Sequence, residues 1–205
     1  TVLFYHGFSA QKEINLEELD LLAESGFLAV GIDAVGHGAR RDPGWEAKFG
    51  EGGDWDTHFL DLVRRSSAEV PAIIDALTEE GLVVDGRIGI CGISMGGMIA
   101  FGALPNEPRL RAAVSIVSAP RTLSDADLPL IPPCAILSQS AGRDETVPME
   151  EAEQFHQRMA GFYEAMPERN AFVTYPDSGH MMRQQDWDQG VMPQTIRWFQ
   201  RFLAE

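Results

Sequence analysis

Ser94 stands in Gly92-Ile93-Ser94-Met95-Gly96, a G-x-S-x-G pattern that joins an apolar run to a helix-like one. A serine on a sharp strand-to-helix turn is pressed by neighbouring backbone, so the positions two before and two after it favour glycine, which has no Cβ to collide. Its hydroxyl is a weak nucleophile at neutral pH and needs a base, which in turn needs an acid to orient it. The chain order serine, acid, histidine points to Asp144, within Gly142-Arg143-Asp144-Glu145-Thr146-Val147-Pro148, and to His180, within Ser178-Gly179-His180. Such a set performs acyl transfer: the serine attacks a carbonyl, the imidazole moves the proton and the carboxylate holds the ring. The amide of Met95, at the start of the following helix, is the expected donor to the developing oxyanion.

These residues need elements to carry them. Val2 to Tyr5 reads as a short buried strand, Leu16 to Ala23 as a helix, and Phe27 to Ile32 as a second strand running into the Gly-rich Gly36-His37-Gly38. A long polar and Gly-rich connection then leads to a helix over Thr57 to Glu80. Further strands are expected at Arg87–Ile93, Arg111–Val117, Cys134–Gln139 and Ala171–Tyr175, with helices at Met95–Leu104, Glu150–Ala165 and Val191–Ala204. Strands that are apolar throughout are buried on both faces, and a helix between successive strands implies parallel pairing with right-handed crossovers. The expected fold is therefore α/β: a doubly wound, mostly parallel sheet of about six strands with helices on both faces. A single domain over 1–205 fits the length, with a minimal cap at 119–133, where four prolines break regular structure. Ser94, Asp144 and His180 each follow directly on a strand, at the end of the sheet where ligands bind in such folds.

Other candidates are weaker. Asp177 is the rival acid but shares a short loop with His180 and reads as a turn former. His58 and His156 read as lying on polar helix faces, and His6 and His37 as structural hydrogen-bonding residues. No metal-ligand spacing involves His6, His37 and Asp33. Arg40, Arg41 and Arg143 are assigned structural roles. Phe8, Trp45, Trp55, Met95, Met181 and Trp187 are candidates for the walls of a small apolar pocket. Cys91 and Cys134 sit in strand-like runs and read as core thiols. With 16 Lys and Arg against 31 Asp and Glu, the net charge of −15 argues against nucleic acid or an anionic membrane as partner. No signal peptide is visible, and the default compartment is cytoplasmic.

The segments Tyr5-His6-Gly7-Phe8, Asp33-Ala34-Val35-Gly36-His37-Gly38-Ala39-Arg40, Gly92 to Gly96, Gly142 to Pro148 and Ser178 to His180 span nearly the whole chain. With them the sequence resembles the α/β-hydrolase superfamily, and within it the small bacterial esterases related to dienelactone hydrolases and to the catalytic domain of prolyl-oligopeptidase-like enzymes. Such families usually open with one or two further antiparallel strands, which are expected to be missing from this sequence. Dienelactone hydrolases proper carry cysteine at the position of Ser94. The resemblance implies the Phe8 amide as the second oxyanion donor, a small-molecule ester as substrate, and no cofactor or metal. A peptidase or amidase of the prolyl-oligopeptidase-like type and a catalytically silent binding protein remain as alternatives, and a homodimer is left open.

Overall fold

The computed structural model describes residues 1–204. In chain order the elements are β1 (Val2–Tyr5), α1 (Leu16–Glu24), β2 (Ala29–Ile32), α2 (Trp45–Phe49), α3 (Trp55–Glu79), β3 (Ile88–Ile93) and α4 (Met95–Ala103). They continue with β4 (Leu110–Ile116), β5 (Ala135–Ala141), α5 (Met149–Met159), β6 (Asn170–Tyr175), α6 (Gln184–Asp186) and α7 (Met192–Phe202). Among the described residues one sheet forms in the order β2-β1-β3-β4-β5-β6, and every pairing in it is parallel. The chain moves outward from β1 to β2 and then returns to place β3 on the other side of β1. The direction of winding therefore reverses between β1 and β3, the crevice where ligands collect in open α/β sheets.

Alternation along the strands divides the core into two layers. Leu3, Tyr5, Ile88 and Ile90 pack against α3, α4 and α5, whereas Val2, Phe4, Cys91 and Val114 pack against α1 and α7. Helix α4 is apolar all round because it is sandwiched between the sheet and α3. Helix α7 is amphipathic instead, burying Trp198, Phe199 and Phe202 and leaving its other face to solvent. Asp54 caps α3 by accepting from the Thr57 amide.

The structure departs from the sequence reading in places. The connection read as loop from Arg40 to Asp56 contains α2, formed because Trp45 drops into a buried cluster with Val35 and Leu62. The helix expected over Glu150 to Ala165 ends at Met159 and tightens into a 3₁₀ turn over Ala160–Tyr163, and a π turn over Trp187–Val191 leads into α7. His156 is buried rather than on a polar face. Its Nε2 accepts from the Ser138 hydroxyl at 2.8 Å while Nδ1–H donates to Asn170 Oδ1, so two strands supply the polar partners that let the ring go inside. Residues 119–133 form turns and one 3₁₀ turn, Leu128–Leu130, held down by buried Leu128 and Ile131.

Candidate active site

Ser94 is the hinge between β3 and α4, with φ +55° and ψ −115°, left-handed backbone that a residue with a Cβ adopts only under constraint. The constraint is visible on both sides. Its amide donates to Ile116 O at 2.8 Å, tying the turn to β4. A Cβ added at Gly92 would stand 2.3 Å from the Gly96 carbonyl carbon, and one at Gly96 would stand 2.2 Å from Tyr5 O, so backbone passes backbone at the distance only glycine permits.

The turn presents Oγ to His180, whose Nε2 lies 3.0 Å away; its Nδ1 lies 2.8 Å from Asp144 Oδ2. The other carboxylate oxygen, Oδ1, accepts from the amides of Thr146 and Val147 at 2.9 Å each. An ionised carboxylate only accepts, so Nδ1 carries the ring proton and Nε2 is left to accept from the serine hydroxyl. The Asp144 side chain is almost fully buried, while the His180 ring is partly open to solvent. The loops after β5 and β6 are stitched together by Gly142 N to Tyr175 O and Arg143 N to Ser178 O, both 2.8 Å, which fixes Asp144 relative to His180. Asp177 pairs with Arg143 at 2.7 Å and with Arg183 at 3.7 Å on the outside of that loop.

Gly7 lies against Ser94, since a Cβ there would be 3.9 Å from Ser94 Cβ. The amide of Phe8, the next residue, and that of Met95 donate to no protein acceptor among the described residues. For Met95 this is the normal state of a first-turn helical N–H. Around Phe8 an aromatic group gathers: its ring centroid is 5.1 Å from Trp45 in stacked geometry, 5.1 Å from Phe49 and 5.4 Å from Trp55, which itself stacks on Phe59 at 4.5 Å.

Of the residues expected to wall a pocket, Phe8, Trp45 and Trp55 therefore come together. Met95 lies fully buried beneath the turn, Met181 points into solvent, and Trp187 packs with α7 on the opposite face of the sheet. Phe49 and Phe59 belong to the group and went unnoticed in the sequence, although Phe59 is four residues beyond Trp55 on one helix. Arg40 makes two hydrogen bonds to the Glu69 carboxylate, Arg41 lies over the Trp45 ring, and Arg143 pairs with Asp177, so each has a protein partner. His6 and His37 are fully buried beside the Phe8 turn, and burial pulls both below the ordinary histidine range. Among the described residues no His, Cys, Asp or Glu trio converges as a metal site would require, and no helix is long and apolar enough to cross a membrane. A groove of about 530 Å³ lined by Leu28, Leu82, Val84 and Leu203 opens at the other end of the strands, remote from Ser94.

Residues 1–142 match the model of the family described as serine aminopeptidase, S33. The chain is 29% identical to the protein named "Putative esterase YitV" of Bacillus subtilis over 98% of its own length and 89% of that protein's. It is 28% identical to "Esterase YjfP" of Escherichia coli over 58% of its length and 45% of that protein's. Among solved structures, TT1662 from Thermus thermophilus superposes with a TM-score of 0.72 at 20% identity, covering all of this chain and 90% of that one. The esterase Pf2001 of Pyrococcus furiosus gives 0.69 at 16% identity, covering 98% and 83%.

Proposed function

The chain belongs to the S33 serine aminopeptidase family of α/β-hydrolases, and from that premise we propose that it is a serine esterase cleaving small carboxylic esters through an acyl-enzyme on Ser94. The observation that carries the reading is the unbroken hydrogen-bonded line from Ser94 Oγ through the His180 ring to Asp144, with 3.0 Å and 2.8 Å links. As Oγ attacks the ester carbonyl, Nε2 takes the hydroxyl proton, and Asp144 stabilises the imidazolium without taking its proton. The carbonyl oxygen becomes an oxyanion that the amides of Phe8 and Met95 receive. Losing one such donor typically costs about 3 kcal/mol of transition-state stabilisation. The tetrahedral adduct collapses, His180 returns the proton to the departing alcohol, and a water activated by the same ring then releases the acid.

The names carried by the two curated relatives favour an ester over a peptide as the substrate, whereas the family description favours a peptide. Both use the same machinery. The test labels one sample of the intact protein with a fluorophosphonate and, on separate unlabelled enzyme, compares p-nitrophenyl esters with amino-acid p-nitroanilides. One covalent adduct at Ser94, no adduct on Ser94→Ala, and ester kcat/KM well above anilide kcat/KM are expected. An unlabelled wild-type protein would leave a silent hydrolase fold, and faster anilide cleavage would make it a peptidase.

A further inference from the structure

Two histidines stand beside the proposed oxyanion donor and have no part in the proton transfer above. Their rings are fully buried, with centroids 5.1 Å apart. The His6 ring accepts the Ala34 N–H through Nε2 at 3.1 Å, so the ring hydrogen must sit on Nδ1, which donates to Gly7 O at 2.7 Å. His37 repeats the pattern: Nε2 accepts the Ser9 N–H at 3.3 Å and Nδ1 donates to Val35 O at 3.0 Å. A backbone N–H can only donate and a carbonyl can only accept, so these contacts require both rings to be neutral and of the same tautomer.

We propose that His6 and His37 are positioning residues for the oxyanion donor, two neutral imidazoles that clamp the Gly7–Ala10 turn and thereby aim the Phe8 amide; this rests on the esterase reading. In a trans peptide the C=O and N–H point in opposite directions. Holding Gly7 O toward His6 therefore sets the direction of the Phe8 N–H in the same plane, next to Ser94. The Ser9 N–H, one peptide further on, is held by His37, so the planes on both sides of Phe8 are fixed. The turn needs such help. Ala10 N reaches Gly7 O at only 3.3 Å, and Ser9 has φ +61°, the third turn position that glycine or asparagine usually fills. Burial of the two rings keeps them uncharged, which preserves both acceptors.

The experiment contrasts His6→Asn, whose side-chain amide can replace the Nδ1 donor, with His6→Leu, which fills the space without one. His6→Leu is expected to lower kcat by about a hundredfold with little change in KM, and to weaken a tetrahedral boronate inhibitor in proportion to kcat/KM. His6→Asn should recover at least about tenfold of that loss. Equal rates for the two variants, or a His6→Leu enzyme that is destabilised yet turns over as the wild type does, would overturn the proposal. Should the variants not fold, ¹⁵N spectra of the wild-type histidines decide: both rings must be neutral with hydrogen on Nδ1 at pH 7, and hydrogen on Nε2 of either ring contradicts the clamp. Failure of the esterase reading is separately visible, as a wild-type protein that neither hydrolyses esters nor takes the label at Ser94.

Discussion

His156 shows what a single residue does to the behaviour of the fold. Burial holds its pKa at about 4, below its ordinary 6.5, because the interior opposes the imidazolium while the Asn170 side chain compensates only in part. The unfolded chain takes up this proton near pH 6.5 and the folded one not until about pH 4. Stability attached to the residue is thus complete above pH 6.5 and is lost as pH falls toward 4, amounting to about 3 kcal/mol in all. Urea unfolding at pH 7 and pH 5 should show wild type losing more stability on acidification than His156→Phe. Equal losses would mean that the folded and unfolded chains take up this proton over the same pH range. The signal for its burial was in the sequence: Ala152, Phe155, His156 and Met159 form one i, i+3, i+4, i+7 stripe. Polarity of the residue type hid it, since the partners that satisfy the ring, Ser138 and Asn170, come from distant strands. The candidate trio Ser94, Asp144 and His180 was legible for the opposite reason. Each stands at the end of an apolar run in a local pattern that needs no knowledge of its neighbours.

At the scale of elements the critical packing is α4 against β1. Gly96→Ala puts a Cβ 2.2 Å from Tyr5 O and 2.8 Å from His6 O, so helix and strand must separate. A loss of about 2–3 kcal/mol is expected, together with most of the activity, because the displaced strand carries the Gly7–Phe8 turn. Gly161→Ala, which meets nothing within 4 Å, should change stability by less than about 0.5 kcal/mol. Urea titrations of the two variants check the contrast. The apolar runs made all the strands legible, since period and burial are local. Helix α2 was not, because it is five residues long and exists through the contacts of Trp45 and Phe49 with Phe8. On the proposed reading those contacts also limit the substrate. With rings packed around Phe8 and only turns over 119–133, acetate to butyrate p-nitrophenyl esters should turn over faster than octanoate. An optimum at ten carbons or more would mean that the aromatic group opens.

For the whole molecule, the charge of −15 acts on any substrate approaching the C-terminal end of the sheet. Glu51, Asp54 and Asp56 stand on the α2–α3 side of this end, where Arg121 is paired with Glu151 and Arg143 with Asp177, and Arg41 lies over the Trp45 ring. Neutral or cationic esters should therefore react faster than carboxylated isosteres, with the gap narrowing from 10 to 300 mM salt as screening grows. Faster turnover of the carboxylated ester at low salt would show a free cation at the site. The dispersal of the proposed reacting groups has another consequence, in time rather than in space. Ser94 and His180 are 86 residues apart, which a ribosome adding about 5–20 residues per second covers in roughly 4–17 s. Throughout that interval the nascent chain carries its serine without a base. On the proposed mechanism hydrolytic power thus arrives only once the loop after β6 has been made and has docked, and a growing or prematurely released chain is spared from acylating itself or its neighbours.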